Sequence, residues 1–132
     1  MRATVGIIAN PASGKDIRRL VAHGSVFDNS EKINIIQRVL RGLDALGIAR
    51  VFAMPDSFGL AITAYERARV SLEMTLLDLP VTNTQADSRR AAAAMAAAGA
   101  GCIVTLGGDG TNRVVAQGSG YVPILPISTG TN

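Results

Sequence analysis

The chain has 132 residues, the length of one domain. Hydrophobic residues make up 48% and charged residues 17%, which excludes a disordered chain and suffices for a core without disulfide staples. Aromatics are only 4% with no Trp, and the 13 basic and 10 acidic residues (net +3) are scattered, which argues against a nucleic-acid partner and suits an anionic small ligand.

The single cysteine, Cys102, allows no internal disulfide and points to a reducing, cytoplasmic setting. No apolar stretch reaches the ~18 residues of a membrane span, so no membrane partner is expected. Met1–Ala9 lacks the cleavage site of a signal peptide.

In chain order, Ala3–Ala9 is an apolar, β-branched run that predicts a buried strand, followed by the turn Asn10–Gly14. Asp16–Val21 suggests a short helical turn, and His23–Ser30 shows no period and reads as loop. Glu31–Leu46 predicts a helix: Ile33, Ile36, Leu40 and Leu43 form one stripe, with Val39 and Leu46 beside it. Asn29 or Ser30 suits its cap, and Gly47 its left-handed end. Ala49–Met54 predicts the second strand, Ser57–Arg69 the second helix and Leu72–Leu79 the third strand. Thr84–Ala98 predicts a helix opened by a Thr84/Asp87 capping box and closed by Gly99. Its alanine run suits close packing on a sheet. Cys102–Leu106 predicts the fourth strand, Thr111–Gln117 a helix and Val122–Ile127 the fifth strand.

Strands alternating with helices imply an α/β fold, a Rossmann-like parallel sheet flanked by helices. Ligands of such sheets bind beyond the carboxyl ends of the strands. The turns Asn10–Gly14, Gly107–Gly110 and Thr129–Asn132 each follow a strand, so a parallel sheet brings all of them to one rim.

Gly107-Gly108-Asp109-Gly110-Thr111 carries the most chemistry. Glycines let backbone N–H groups approach a phosphate, and the following helix aims its positive end at the same place. A carboxylate there would repel phosphates unless it holds Mg²⁺ or takes a proton from an attacking hydroxyl, so the combination suggests phosphoryl transfer. Asp-Gly also suits a hairpin, but Arg113, Val114 and Val115 fit a helix better than an alternating strand. Arg113 stands where the dinucleotide fingerprint needs its third glycine. Ala9 and Asp16 break the P-loop pattern around Gly14-Lys15. In the first turn, Asn10, Ser13 and Gly14 could hold phosphate, with Lys15 to neutralise it. Thr129, Gly130, Thr131 and Asn132 add hydroxyls and an amide. His23 has no ligand partner at metal spacing, Cys102 reads as core, and Arg18-Arg19 and Arg89-Arg90 read as solvated faces.

These residues resemble the superfamily of NAD kinases, diacylglycerol kinases and sphingosine kinases. Its signature is the Gly-Gly-Asp-Gly-Thr turn at 107–111, and the Asn-Pro-x-Ser-Gly turn at 10–14 also belongs to it. Asn10 to Leu20, the Asp28/Glu31-Lys32 region, Met54-Pro55-Asp56 and Gly107 to Arg113 look like the ATP-NAD kinase branch linked to acetoin catabolism.

The resemblance implies the N-terminal nucleotide-binding domain of a two-domain kinase that uses ATP and Mg²⁺ to phosphorylate NAD at the adenosine ribose 2′-hydroxyl. It implies that the ATP phosphates lie against Asn10, Ser13, Gly14 and Lys15 on one side. On the other they would meet Gly107, Gly108, Gly110 and Thr111, with Thr129 and Asn132 at the junction to the second domain. It implies that Asp109 activates the hydroxyl and contacts the metal. The chain departs from the family pattern at Asn112-Arg113, where an apolar residue usually follows the motif. It also ends where the family's β-rich second domain begins, so a fragment inactive by itself is expected, with homo-oligomer formation through uncovered surface. The alternatives are a catalytically silent module that senses NAD or ATP, and a relative of the lipid kinases.

Overall fold

The computed structural model describes residues 3–11 and 22–128. Among them the elements run β1 (Thr4–Ala9), α1 (Ala22–Ala45), β2 (Arg50–Ala53), α2 (Leu60–Ala68), β3 (Glu73–Leu76), α3 (Gln85–Ala97), β4 (Cys102–Leu106), α4 (Asp109–Ser119) and β5 (Ile124–Ile127). The strands form one sheet in the order β3-β2-β1-β4-β5, and every neighbouring pair is parallel. The α/β parallel sheet expected from the alternating pattern is therefore present, with β1 and β4 at its centre.

Strands buried on both faces need apolar side chains in both directions. In β1, Val5, Ile7 and Ala9 face one way, onto Ile36 and Leu40 of α1 and Leu60, Ala64 and Ala68 of α2. Ile8 faces the other way, with Ile103 of β4, onto Ala91, Ala92 and Met95 of α3 and Val115 of α4. Helices thus cover both faces of the sheet's centre.

The alanine-rich helix does pack closely, and its tightest contact is with another helix. A β-carbon at Gly118 of α4 would stand 2.4 Å from the carbonyl oxygen of Arg89 and 3.2 Å from the amide nitrogen of Ala93. Glycine on α4 facing alanine on α3 is what lets the two backbones touch. The same helix also approaches the sheet closely at Gly6, where a β-carbon would meet the Met95 sulfur at 2.4 Å.

The structure differs from the pattern-based expectation mainly at element ends. Helix α1 begins at Ala22, so the expected loop His23–Ser30 is helical and neither Asn29 nor Ser30 caps it. Extending an existing helix avoids the cost of nucleation, which lets poor helix formers join it. Leu46 lies beyond the helix and is exposed, while Gly47 takes the expected left-handed conformation with φ 85°. Helix α2 starts later than expected, at Leu60, because Asp56 binds the N–H groups of Phe58 and Leu60 first. Helix α4 starts earlier than expected, at Asp109, with Gly108 as its N-cap.

Two glycine substitutions test this packing. Alanine is favoured over glycine in a helix by up to ~1 kcal/mol. At Gly42 on α1 a β-carbon meets nothing within 4 Å, so Gly42→Ala is expected to raise the melting temperature. At Gly118 it meets backbone, and overpacking costs about 1–3 kcal/mol, so Gly118→Ala is expected to lower it. Thermal unfolding followed by circular dichroism reads both signs.

Candidate functional site

The pairing of Ala9 with Leu106 places Asn10 and Gly107 side by side on the carboxyl rim of the sheet. The strand order runs outward from β1 to β3 and then resumes at β4 on the other side, so β1 and β4 flank the topological switch point. Ligands of open parallel sheets bind in the crevice at that point.

Residues 107–112 build one wall of the crevice. Gly107 has φ 155°, and a β-carbon there would lie 2.6 Å from Thr111 Oγ1 and 2.9 Å from Thr111 Cβ. Glycine at 107 is thus required by the fold itself. Its N–H donates to the Ile127 carbonyl at 3.2 Å, tying the turn to β5. Gly108 is different: its backbone is extended (φ −111°, ψ −161°), a conformation open to any residue, and a β-carbon would meet nothing within 4 Å. A β-carbon at Gly110 also meets open space. Among the described residues no contact requires glycine at 108 or 110.

Asp109 is the first residue of α4 and is exposed. The N–H groups of Asp109, Gly110 and Thr111 fall in the first helical turn, where helix geometry supplies no carbonyl partner. The positive end of the helix dipole adds to them, making this a place that attracts anions. The Thr111 side chain is buried beneath Gly107 and supports the turn from inside.

Across the switch point, Asn10 is buried, and its amide donates to the Thr84 carbonyl at 2.8 Å and to Ser88 Oγ at 3.0 Å. Both amide hydrogens therefore anchor the end of β1 to the start of α3. Of the other expected site residues, Ser13, Gly14, Lys15, Thr129 and Asn132 lie outside the described residues, as does the expected turn Asp16–Val21.

Two carboxylates near the rim were not singled out from sequence as site residues. Asp56 accepts from the N–H groups of Phe58 (2.9 Å) and Leu60 (3.0 Å), holding the β2–α2 loop. Burial pushes its carboxyl above the usual carboxylate range, although the N–H groups of Phe58, Leu60 and Gly59 and the charge of Lys32 pull it down. Lys32 is itself almost fully buried on α1. Its sequence signal is a lysine four residues before Ile36 and eight before Leu40, on the buried stripe.

Asp87 supports the rim from the α3 side. Thr84 caps α3, but its hydroxyl accepts from the Ala86 N–H. Asp87 reaches back past the cap to the N–H groups of Thr82 (3.0 Å) and Asn83 (2.9 Å), a variant of the expected capping box. It also accepts from the Thr82 hydroxyl at 2.5 Å and from Arg90 at 3.0 Å. Arg90 is therefore tied into the loop, whereas its neighbour Arg89 is exposed as expected.

Among the described residues no three His, Cys, Asp or Glu side chains cluster as a metal site, and no helix is long and apolar enough to cross a membrane. A family model described as the ATP-NAD kinase N-terminal domain matches residues 5–132. Acetoin catabolism protein X of Cupriavidus necator is 44% identical over 135 aligned positions, covering 97% of this chain and 38% of the relative. The chain thus spans well under half of that relative's length. No solved structure matches the chain.

The Asp87 network gives a pH dependence. Burial alone would raise this carboxyl, but the Thr82 hydroxyl, the N–H groups of Thr82 and Asn83 and Arg90 together hold it below its ordinary value of 3.8. As pH falls, the unfolded chain therefore takes up the proton first. The stabilisation is whole above the ordinary carboxylate range and is lost as pH drops through and below it. Asp87→Asn is expected to cost about 1–3 kcal/mol at neutral pH and to flatten the acid limb of a melting-temperature profile.

Proposed function

The chain belongs to the ATP-NAD kinase family, matching its N-terminal domain, and on that premise we propose that it is the ATP-binding half of a kinase that phosphorylates NAD at the adenosine ribose 2′-hydroxyl. The observation that carries this reading is the Gly107–Thr111 turn. It stands at the switch point, opens α4 and presents one exposed carboxylate beside two glycines at which a β-carbon would meet nothing within 4 Å.

The residues fit the groups the reaction needs. N–H groups at the start of α4 suit phosphate oxygens, and Gly108 and Gly110 leave room for them to approach. A carboxylate together with nucleotide phosphates is a usual donor set for Mg²⁺, which suits Asp109. When bound, Mg²⁺ neutralises phosphate charge during transfer.

In the proposed reaction a bond forms between the ribose 2′-oxygen and the γ-phosphorus of ATP, and the bond from that phosphorus to the β–γ bridging oxygen breaks. Asp109 accepts the proton that leaves the 2′-hydroxyl. Positioning and electrostatics provide most of the catalysis in such transfers. The products are NADP and ADP. The reading includes a second, β-rich domain from a longer polypeptide that completes the acceptor site, a cytoplasmic, homo-oligomeric assembly and a role alongside acetoin breakdown. That last element rests on the name of the Cupriavidus relative.

Asp109→Asn in the full-length polypeptide is expected to remove turnover, by 10²–10⁴-fold or about 3–5 kcal/mol of barrier, while ATP affinity changes little. Gly108→Val is expected to weaken ATP binding with only the modest stability loss of a poorer N-cap, since the extended backbone there suits any residue and a β-carbon meets nothing within 4 Å. NADP formation and ATP titration calorimetry separate the two. Near wild-type turnover in Asp109→Asn would remove Asp109 from the role of base, and no NADP formation by the wild-type full-length polypeptide would favour a silent nucleotide sensor over a kinase. Residues 1–132 alone are expected to form no NADP, and robust formation by this segment would remove the need for a second domain.

A further inference from the structure

Asn112 occupies the position after the Gly-Gly-Asp-Gly-Thr motif, and its surroundings explain a polar residue there. The Thr105 hydroxyl, on the fully buried side chain of that β4 residue, donates to Asn112 Oδ1 at 2.6 Å. A buried hydroxyl without a partner is costly, so the two polar residues require each other. Thr105 lies two residues before Gly107, and Asn112 lies three residues after Asp109. The bond therefore bridges the strand before the turn and the helix after it.

Other contacts hold the turn at different points. The Gly107 N–H is tied to Ile127, and the Thr111 side chain fills the space under Gly107. Neither reaches from the sheet to the outer side of the first turn of α4. The Thr105–Asn112 bond does so. We propose that the Thr105–Asn112 hydrogen bond is a positioning strap that sets the angle at which α4 leaves β4, and so where the Asp109 carboxylate stands over the switch point. Asn112 is a positioning residue that acts through Asp109. The proposal rests on the kinase reading for its catalytic consequence, but the strap itself can be tested without turnover.

Loss of the strap affects nucleotide binding and phosphoryl transfer unequally. The phosphate-binding N–H groups belong to the helix backbone and move with it, so ATP affinity is buffered. Transfer depends on the carboxylate's placement to within a fraction of an ångström, and a displacement of about 1 Å can cost 10²-fold. Loss of the strap should therefore appear in kcat much more than in KM for ATP.

The experiment uses the full-length polypeptide with ATP, Mg²⁺ and NAD, well below the melting temperature of every variant. Thr105→Val, close in shape to threonine, and Asn112→Leu, which restores an apolar residue after the motif, are each expected to lower kcat about 10- to 100-fold, with KM for ATP within about threefold. Thr105→Ser keeps the hydroxyl and is expected to keep kcat within about threefold of wild type. Unchanged kcat in Thr105→Val overturns the proposal, as does an equal loss in Thr105→Ser, which would point to packing alone. If Asn112→Leu does not fold, the two Thr105 variants decide. Amide hydrogen exchange over residues 112–115, the first N–H groups of α4 with helical carbonyl partners, is measured in parallel. If the wild-type protein forms no NADP, the kinase reading fails, and exchange then decides on the strap alone. Faster exchange in Thr105→Val and wild-type exchange in Thr105→Ser support it, and unchanged exchange in Thr105→Val overturns it.

Discussion

β1 and β4 pair in parallel from Val5 against Cys102 to Ala9 against Leu106, although β2, β3 and three crossovers separate them in sequence. Parallel pairing requires both strands to end at the same edge. The chain therefore turns twice at one spot, once after Ala9 and once after Leu106. All the chemistry at the rim depends on that adjacency. Without it, Asn10 and Gly107 would be separate polar turns with no shared crevice.

The crevice is held by contacts that lie behind it. Asn10 anchors the end of β1 to the first turn of α3, through the Thr84 carbonyl and the Ser88 hydroxyl. Helix α3 in turn packs against α4 at backbone contact distance, because Gly118 has no side chain to keep Arg89 and Ala93 away. The two walls of the switch point are thus joined through a pair of helices beneath one face of the sheet. This explains why alanine and glycine are concentrated in that pair: larger side chains there would move α4, and with it the turn that carries Asp109.

The glycines of the Gly-Gly-Asp-Gly-Thr turn divide by physical role. Gly107 is confined by Thr111 and by a φ that side chains rarely adopt. Gly108 and Gly110 face open space, and Gly108 has an extended backbone that any residue can take. Among the described residues, packing requires glycine at 107 but not at 108 or 110, which stand at the positive end of a helix and beside a carboxylate.

Much of this protein was legible in its sequence. The two central strands are short apolar runs that end at Asn or Gly, and a strand buried on both faces has no other way to look, so β4 is found at the bounds read from sequence and β1 within one residue of them. The alternation of strand and helix determined the parallel sheet, and with it the shared rim. The motif residues were visible because glycine, aspartate and a following helix form a local pattern. Contacts between distant residues were not visible, since no local pattern encodes them. Examples are the Asn10 amide on Thr84 and Ser88, Lys32 beside Asp56, and Asp87 gathering Thr82, Asn83 and Arg90. The start of α1 at Ala22 was hidden as well, because the residues that open it have weak helical preference and join a helix that propagates from its packed half. Local chemistry and periodicity determined the elements and the candidate turn. Only the tertiary structure decided which side chains stay exposed at the rim, like Asp109, and which, like Asn10 and Thr111, are buried behind it, because burial and pairing are properties of the assembled fold.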